Sequence, residues 1–105
     1  MIMESNEQLE ITDNEFLRQY EGRKGTILAR IEYAQQDRKI FLTKLILPEE
    51  LEDDTDFRNE FLTAVFDSIR EEKDVKVVPT HPKIAGFVRR YRNKYKDMLP
   101  VGIAI

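Results

Sequence analysis

Apolar and polar positions alternate in the first half of the chain and change to a helical spacing in the second. From Thr26 to Tyr33, the residues Ile27, Ala29, Ile31 and Tyr33 point one way, and Thr26, Leu28, Arg30 and Glu32 the other. That period of two predicts a strand with one face on a core and the other in water. Lys39 to Leu47 is apolar on both sides, with Phe41, Leu45 and Leu47 on one face and Ile40, Leu42 and Ile46 on the other. A strand apolar on both faces is predicted to be the central one. The polar stretch 34–38 joins the two as a hairpin loop. Phe16 to Tyr20 alternates imperfectly and predicts a first strand. The following Glu21-Gly22-Arg23-Lys24-Gly25 predicts a turn, because its two glycines tolerate positive φ. Met1 to Glu10 is polar and predicts a frayed start.

Pro48 ends the strand region. Phe57, Phe61, Leu62, Val65, Phe66 and Ile69 then fall on one stripe of an amphipathic helix, with Asp54 or Thr55 as its cap. Val75 to Val78 is short and β-branched. Following a helix of suitable length, it predicts a strand parallel to its predecessor through a right-handed crossover. Pro82 suits the first position of a further helix, whose stripe is Ile84, Phe87, Val88, Tyr91, Tyr95 and Met98 with a break near Asn93. Val101 to Ile105 is an apolar tail suited to an edge strand or to pairing between two copies in a homodimer. The expected architecture is one α+β domain over 1–105: a mostly antiparallel sheet, one parallel strand pair and two main helices.

Composition narrows the chemistry. The chain has 105 residues, 41% hydrophobic and 35% charged, which suits one soluble domain with a modest core. It has no cysteine, which removes disulfides, thiolate metal sites and a cysteine nucleophile. The start, MIMESNEQLE, lacks the apolar run of a signal peptide, so a cytoplasmic setting is expected. No apolar run approaches the roughly 20 residues that span a bilayer. The net charge of −3 hides a division. Residues 49–60 hold seven carboxylates and one arginine, and residues 83–97 hold six Lys/Arg and one aspartate. Such blocks are two solvated faces or two partner surfaces.

Three stretches carry a family resemblance: Leu47-Pro48-Glu49-Glu50-Leu51, Lys76-Val77-Val78-Pro79-Thr80-His81-Pro82, and Ile84-Ala85-Gly86-Phe87-Val88-Arg89-Arg90. With the order of elements around them, they make residues 11–99 resemble the small single-domain members of the GNAT N-acetyltransferase superfamily. The resemblance implies acetyl-CoA as cofactor, an amine acceptor and a splay between the two parallel strands. It also implies that backbone groups of Val77, Val78, Pro79 and Thr80 orient the acyl arm. The family's glycine-rich loop, whose N–H groups close around the CoA pyrophosphate, corresponds here to Asp53-Asp54-Thr55-Asp56-Phe57-Arg58. No glycine remains, the connection is about two residues longer, and aspartates stand where a diphosphate would arrive. Each such contact costs on the order of 1 kcal/mol or more. The small members also pair a cysteine with a histidine; His81 and Lys44 occupy the corresponding positions.

Each candidate has a functional and a structural reading. His81, the single histidine, is either a general base or a helix-start residue on the rim of a cleft. Lys44 is either a cleft lysine that meets an anion or a lysine reaching solvent from the sheet. The loop 49–56 either offers oxygens to a divalent cation or simply caps a helix. The basic helix, with Arg89 and Arg90, either reaches the CoA 3′-phosphate, stacks nucleic acid with Tyr91 and Tyr95, or is a solvated helix face. A pI of about 5.2 opposes a dedicated nucleic-acid binder. Two functions follow: a GNAT-like N-acetyltransferase, or a non-catalytic GNAT-like module that contacts protein partners and has lost CoA binding.

Overall fold

The computed structural model describes residues 8–102. Its five strands are β1 Glu10–Asn14, β2 Gln19–Lys24, β3 Ile27–Gln36, β4 Lys39–Ile46 and β5 Lys76–Pro79. They form one sheet in sequence order, antiparallel except for the parallel pair β4–β5. Helix α1, Thr55–Ser68, is extended by a π-helical turn, Ile69–Lys73, and crosses from β4 to β5. Helix α2, Pro82–Arg90, and the single-turn α3, Arg92–Tyr95, follow. The α+β class and the parallel last strand match expectation. The central strand is β3, and β4 is interior beside it.

The first hairpin differs from the sequence reading. Residues 15–18 form the β1–β2 loop, and Phe16 and Leu17 are 93% and 55% exposed. An additional strand precedes them, because Ile11 packs on the core and pairs with Gly22. Gly22 therefore lies in β2 and not in a turn. A Cβ there would sit 2.5 Å from the ring of Phe61, so glycine is what lets α1 approach β2. The β2–β3 turn is the two-residue Gly25-Thr26, with Gly25 at φ 61°, as a type II′ hairpin turn requires.

β3 alternates as its pattern predicts, with Ala29, Ile31 and Tyr33 buried. β4 does not. Glu32 pairs with Lys44 and Tyr33 with Leu42, so Thr43 is an extra residue, and its hydroxyl donates to the carbonyl of Glu32 at 3.1 Å. This β-bulge breaks the period of two. Ile40, Leu42 and Leu45 face the core, whereas Phe41, Lys44 and Ile46 take the outer face. Leu45 and Ile46 have thus exchanged the faces that alternation predicts.

The helices pack on the inner face around one core built from Tyr20, Ile31, Leu42, Phe61, Phe66 and Val77 with their neighbours. Phe66 joins α1 to α2 through Phe87, with centroids 5.6 Å apart, and to Tyr95 at 4.9 Å. The break between α2 and α3 falls at Tyr91, two residues before Asn93. Residues 101–102 form a turn; the rest of the tail expected to pair as a strand lies outside the described residues. Among the described residues, no helix is long and apolar enough to cross a membrane.

Candidate functional site

The parallel pair closes only partway. Ile40, Phe41 and Leu42 of β4 match Val77, Val78 and Pro79 of β5. Thr80 then donates to the carbonyl of Leu42 twice, from its N–H at 3.2 Å and its hydroxyl at 3.0 Å. Beyond that point the chain turns into α2, while β4 runs on to Ile46. After Leu42, β4 therefore continues without a neighbour on its β5 side. Beside it is a cavity of about 400 Å³ lined by Leu45, Ile46, Leu47, Glu52, His81 and Lys83. The backbone that lacks a β5 partner is therefore that of β4 after Leu42. Along β5 the N–H groups of Lys76 and Thr80 donate to the carbonyls of Arg38 and Leu42; β5 is the edge of the sheet, so the backbone of the intervening Val77 and Pro79 faces away from β4, and both residues are buried.

His81 sits on this wall as the N-cap of α2. Its Nδ1 accepts from the N–H of Lys83 at 3.2 Å. Burial, with the Lys83 charge adding to it, holds its pKa below the ordinary imidazole value. A neutral ring with Nδ1 as acceptor carries its proton on Nε2. The free nitrogen is then a donor and not a base. Lys44 is elsewhere. The bulge directs it to the outer face of the sheet, where it is 67% exposed and 4.0 Å from Glu32.

A second groove, of about 240 Å³, opens between the start of α1 and α2. Arg58 and Lys83 line it with Arg90, Thr55 and Asn59. Asp53 and Asp56 are exposed and do not line it. Asp54 caps α1 from within, its Oδ1 accepting from the N–H of Phe57 at 3.0 Å. Arg58 donates to the carbonyl of Glu52 at 3.3 Å, which ties the acidic loop to the helix. Arg89 is exposed on α2 and does not line the groove. The structure thus brings His81, Arg58, Arg90 and Thr55 into two adjoining hollows that share Lys83, and leaves Lys44, Asp56 and Arg89 apart. Among the described residues, no cluster of three or more His, Asp or Glu is placed to hold a metal ion.

Glu52 and Lys83 are cleft residues that periodicity does not reveal. Glu52 is one of seven carboxylates in a short stretch, and Lys83 one of six cations in another. Only the end of the β4–β5 pairing selects them. Comparison of the chain with protein-family models gives no match, and comparison with curated proteins gives none.

Proposed function

We propose that this chain is a GNAT-like N-acetyltransferase that acylates an amine with acetyl-CoA as donor. One observation carries the reading: Lys83 lines both the cleft beside β4 and the groove at the start of α1, so that one cation borders both hollows. An acyl arm suits the apolar wall of Leu45 and Leu47, and phosphates suit Arg58, Lys83 and Arg90. Side-chain cations then stand in for the N–H cradle that glycines would have formed. Acetyl-CoA, when bound, supplies the activated acetyl group. His81 would offer Nε2–H to the acyl carbonyl oxygen, and Glu52, the carboxylate of the cleft, would take the proton that the amine loses as its C–N bond forms and pass it to the thiolate released as the thioester C–S bond breaks.

The second reading is a non-catalytic GNAT-like module that contacts protein partners. The Asp54 cap favours it, since that carboxylate already satisfies an N–H that a phosphate would use. Calorimetry with acetyl-CoA, and with CoA as control, at low and moderate salt separates the two. Micromolar binding is expected, weakened at least ten-fold by Arg58→Gln with Lys83→Gln. No detectable binding up to millimolar acetyl-CoA would overturn the transferase reading and leave the interaction module.

A further inference from the structure

The end of the sheet opposite the cleft holds another cavity, of about 560 Å³. Arg18 and Glu15 reach it from the β1–β2 loop, Asp37 and Arg38 from the β3–β4 turn. Tyr33, Gln35 and Lys73 complete its wall. Lys73 is already engaged. Its Nζ lies 3.0 Å from Asp13 Oδ2, donates to Gln35 Oε1 at 2.9 Å and to the Tyr33 hydroxyl at 3.3 Å, and stands 4.5 Å from the Tyr33 ring centroid. The Tyr33 hydroxyl in turn donates to Asp13 at 2.6 Å. Lys73 and Asp13 therefore compensate each other at the back of the cavity. Among the described residues, neither Arg18 nor Arg38 makes a salt bridge.

The backbone under these two arginines is strained. Arg18, Asp37 and Arg38 have φ of 57°, 54° and 64°. Asp37-Arg38 is a two-residue hairpin turn between the paired Gln36 and Lys39, with both central residues left-handed, the type I′ geometry. Aspartate tolerates that region, whereas arginine does so at a cost on the order of 1 kcal/mol. Stability alone would place glycine at 38, giving the favoured Asp-Gly turn. Strained residues gathered around one cavity are the pattern of a site whose side chains have a further use.

We propose that this cavity binds a small zwitterion, whose oxyanion is held by Arg18 and Arg38 and whose ammonium faces Glu15 and Asp37. Guanidinium forks match carboxylate and phosphate oxygens in pairs. Two carboxylates in the same wall repel a bare dianion and attract a cation, so the ligand carries both signs. The proposal is independent of acyl transfer at the opposite end.

The test is amide NMR titration of the full chain with O-phosphoethanolamine, with β-alanine, and with inorganic phosphate as the ammonium-free control. At least one zwitterion is expected to shift the amides of residues 15–18 and 35–38 at millimolar concentration or below, and more tightly than phosphate. Which of the two binds better assigns the oxyanion as phosphate or carboxylate. Arg38→Gly is expected to raise the thermal midpoint and yet weaken binding at least ten-fold. Arg18→Gly is expected to weaken it similarly. Absence of shifts with both zwitterions at 20 mM, tighter binding of phosphate than of either, or undiminished binding in the Arg38→Gly variant would overturn the proposal.

Discussion

The two ends of the sheet solve the placement of charge in opposite ways. At the end that carries the β3–β4 turn, pairing is complete: Gln36 meets Lys39, and Lys39 meets Lys76 across the parallel pair. There the chain brings a lysine and an aspartate under cover, with side chains only 11% and 15% exposed, and satisfies them with a tyrosine and a glutamine. At the other end pairing stops at Leu42 and Pro79, and the cleft arises from the backbone alone. Its charged residues, Glu52 and Lys83, remain exposed. The first arrangement links charge to stability, since removing a partner strands a desolvated ion. The second leaves charge available to a ligand at little cost to the fold.

Removing Lys73 tests the first half of this contrast most severely. Lys73→Ala should cost about 2–4 kcal/mol in urea denaturation, because Asp13 is left desolvated without its cation. Lys73→Met combined with Asp13→Asn should recover most of that loss, since no charge is then stranded. Equal loss in both variants would mean that packing, and not charge, holds this end together.

A smaller effect sharpens the contrast from the cleft side. Asp54→Ala should lower stability by about 1 kcal/mol through loss of the α1 cap. The same change removes a carboxylate and frees an N–H at the start of α1, so acetyl-CoA affinity should rise. Lower stability with unchanged affinity would separate the cap from the ligand path.

The smallest effect is in pH dependence. The folded pKa of His81 lies below its ordinary 6.5, through burial first and the Lys83 charge second. Between the two values the unfolded chain binds more protons, so stability rises with pH there. The contribution is complete above about pH 6.5 and is lost as pH falls through the depressed folded value. His81→Asn keeps a side-chain acceptor at the cap and should flatten this part of the profile, as followed by urea midpoints from pH 5 to 8. A profile unchanged by the substitution would assign the slope to other groups.

What the sequence reveals depends on whether a residue's role is local. β3 is legible because nothing interrupts its alternation, and α1 because its stripe is unbroken over several turns. β1 is concealed because Ile11 is its one apolar inward residue, while the more apolar Phe16 and Leu17 mark an exposed loop. The bulge is concealed because Thr43 suits a strand whether or not it pairs. The strained turn carries no glycine to announce it. Lys73, Asp13 and Tyr33 are separated by up to 60 positions, so no spacing rule connects them. His81 stands out as a candidate from its type, but its role depends on which ring nitrogen is taken, and only the hydrogen bond to Lys83 decides that.

The extra residue at Thr43 makes the length of β4 an inherited quantity, separate from its composition. Substitutions along the strand leave its phase unchanged, whereas the loss of one codon there would restore strict alternation. Lys44 would then still oppose Glu32 and Leu45 would still oppose Ile31, because those pairs already follow Tyr33–Leu42 without a gap in β3. A relative lacking that one residue would keep both the sheet and the wall of the cleft, whereas a strand of the present length without the bulge would carry Lys44 inward and Leu45 outward, so the bulge is what lets β4 hold one residue more without changing what lines the cleft.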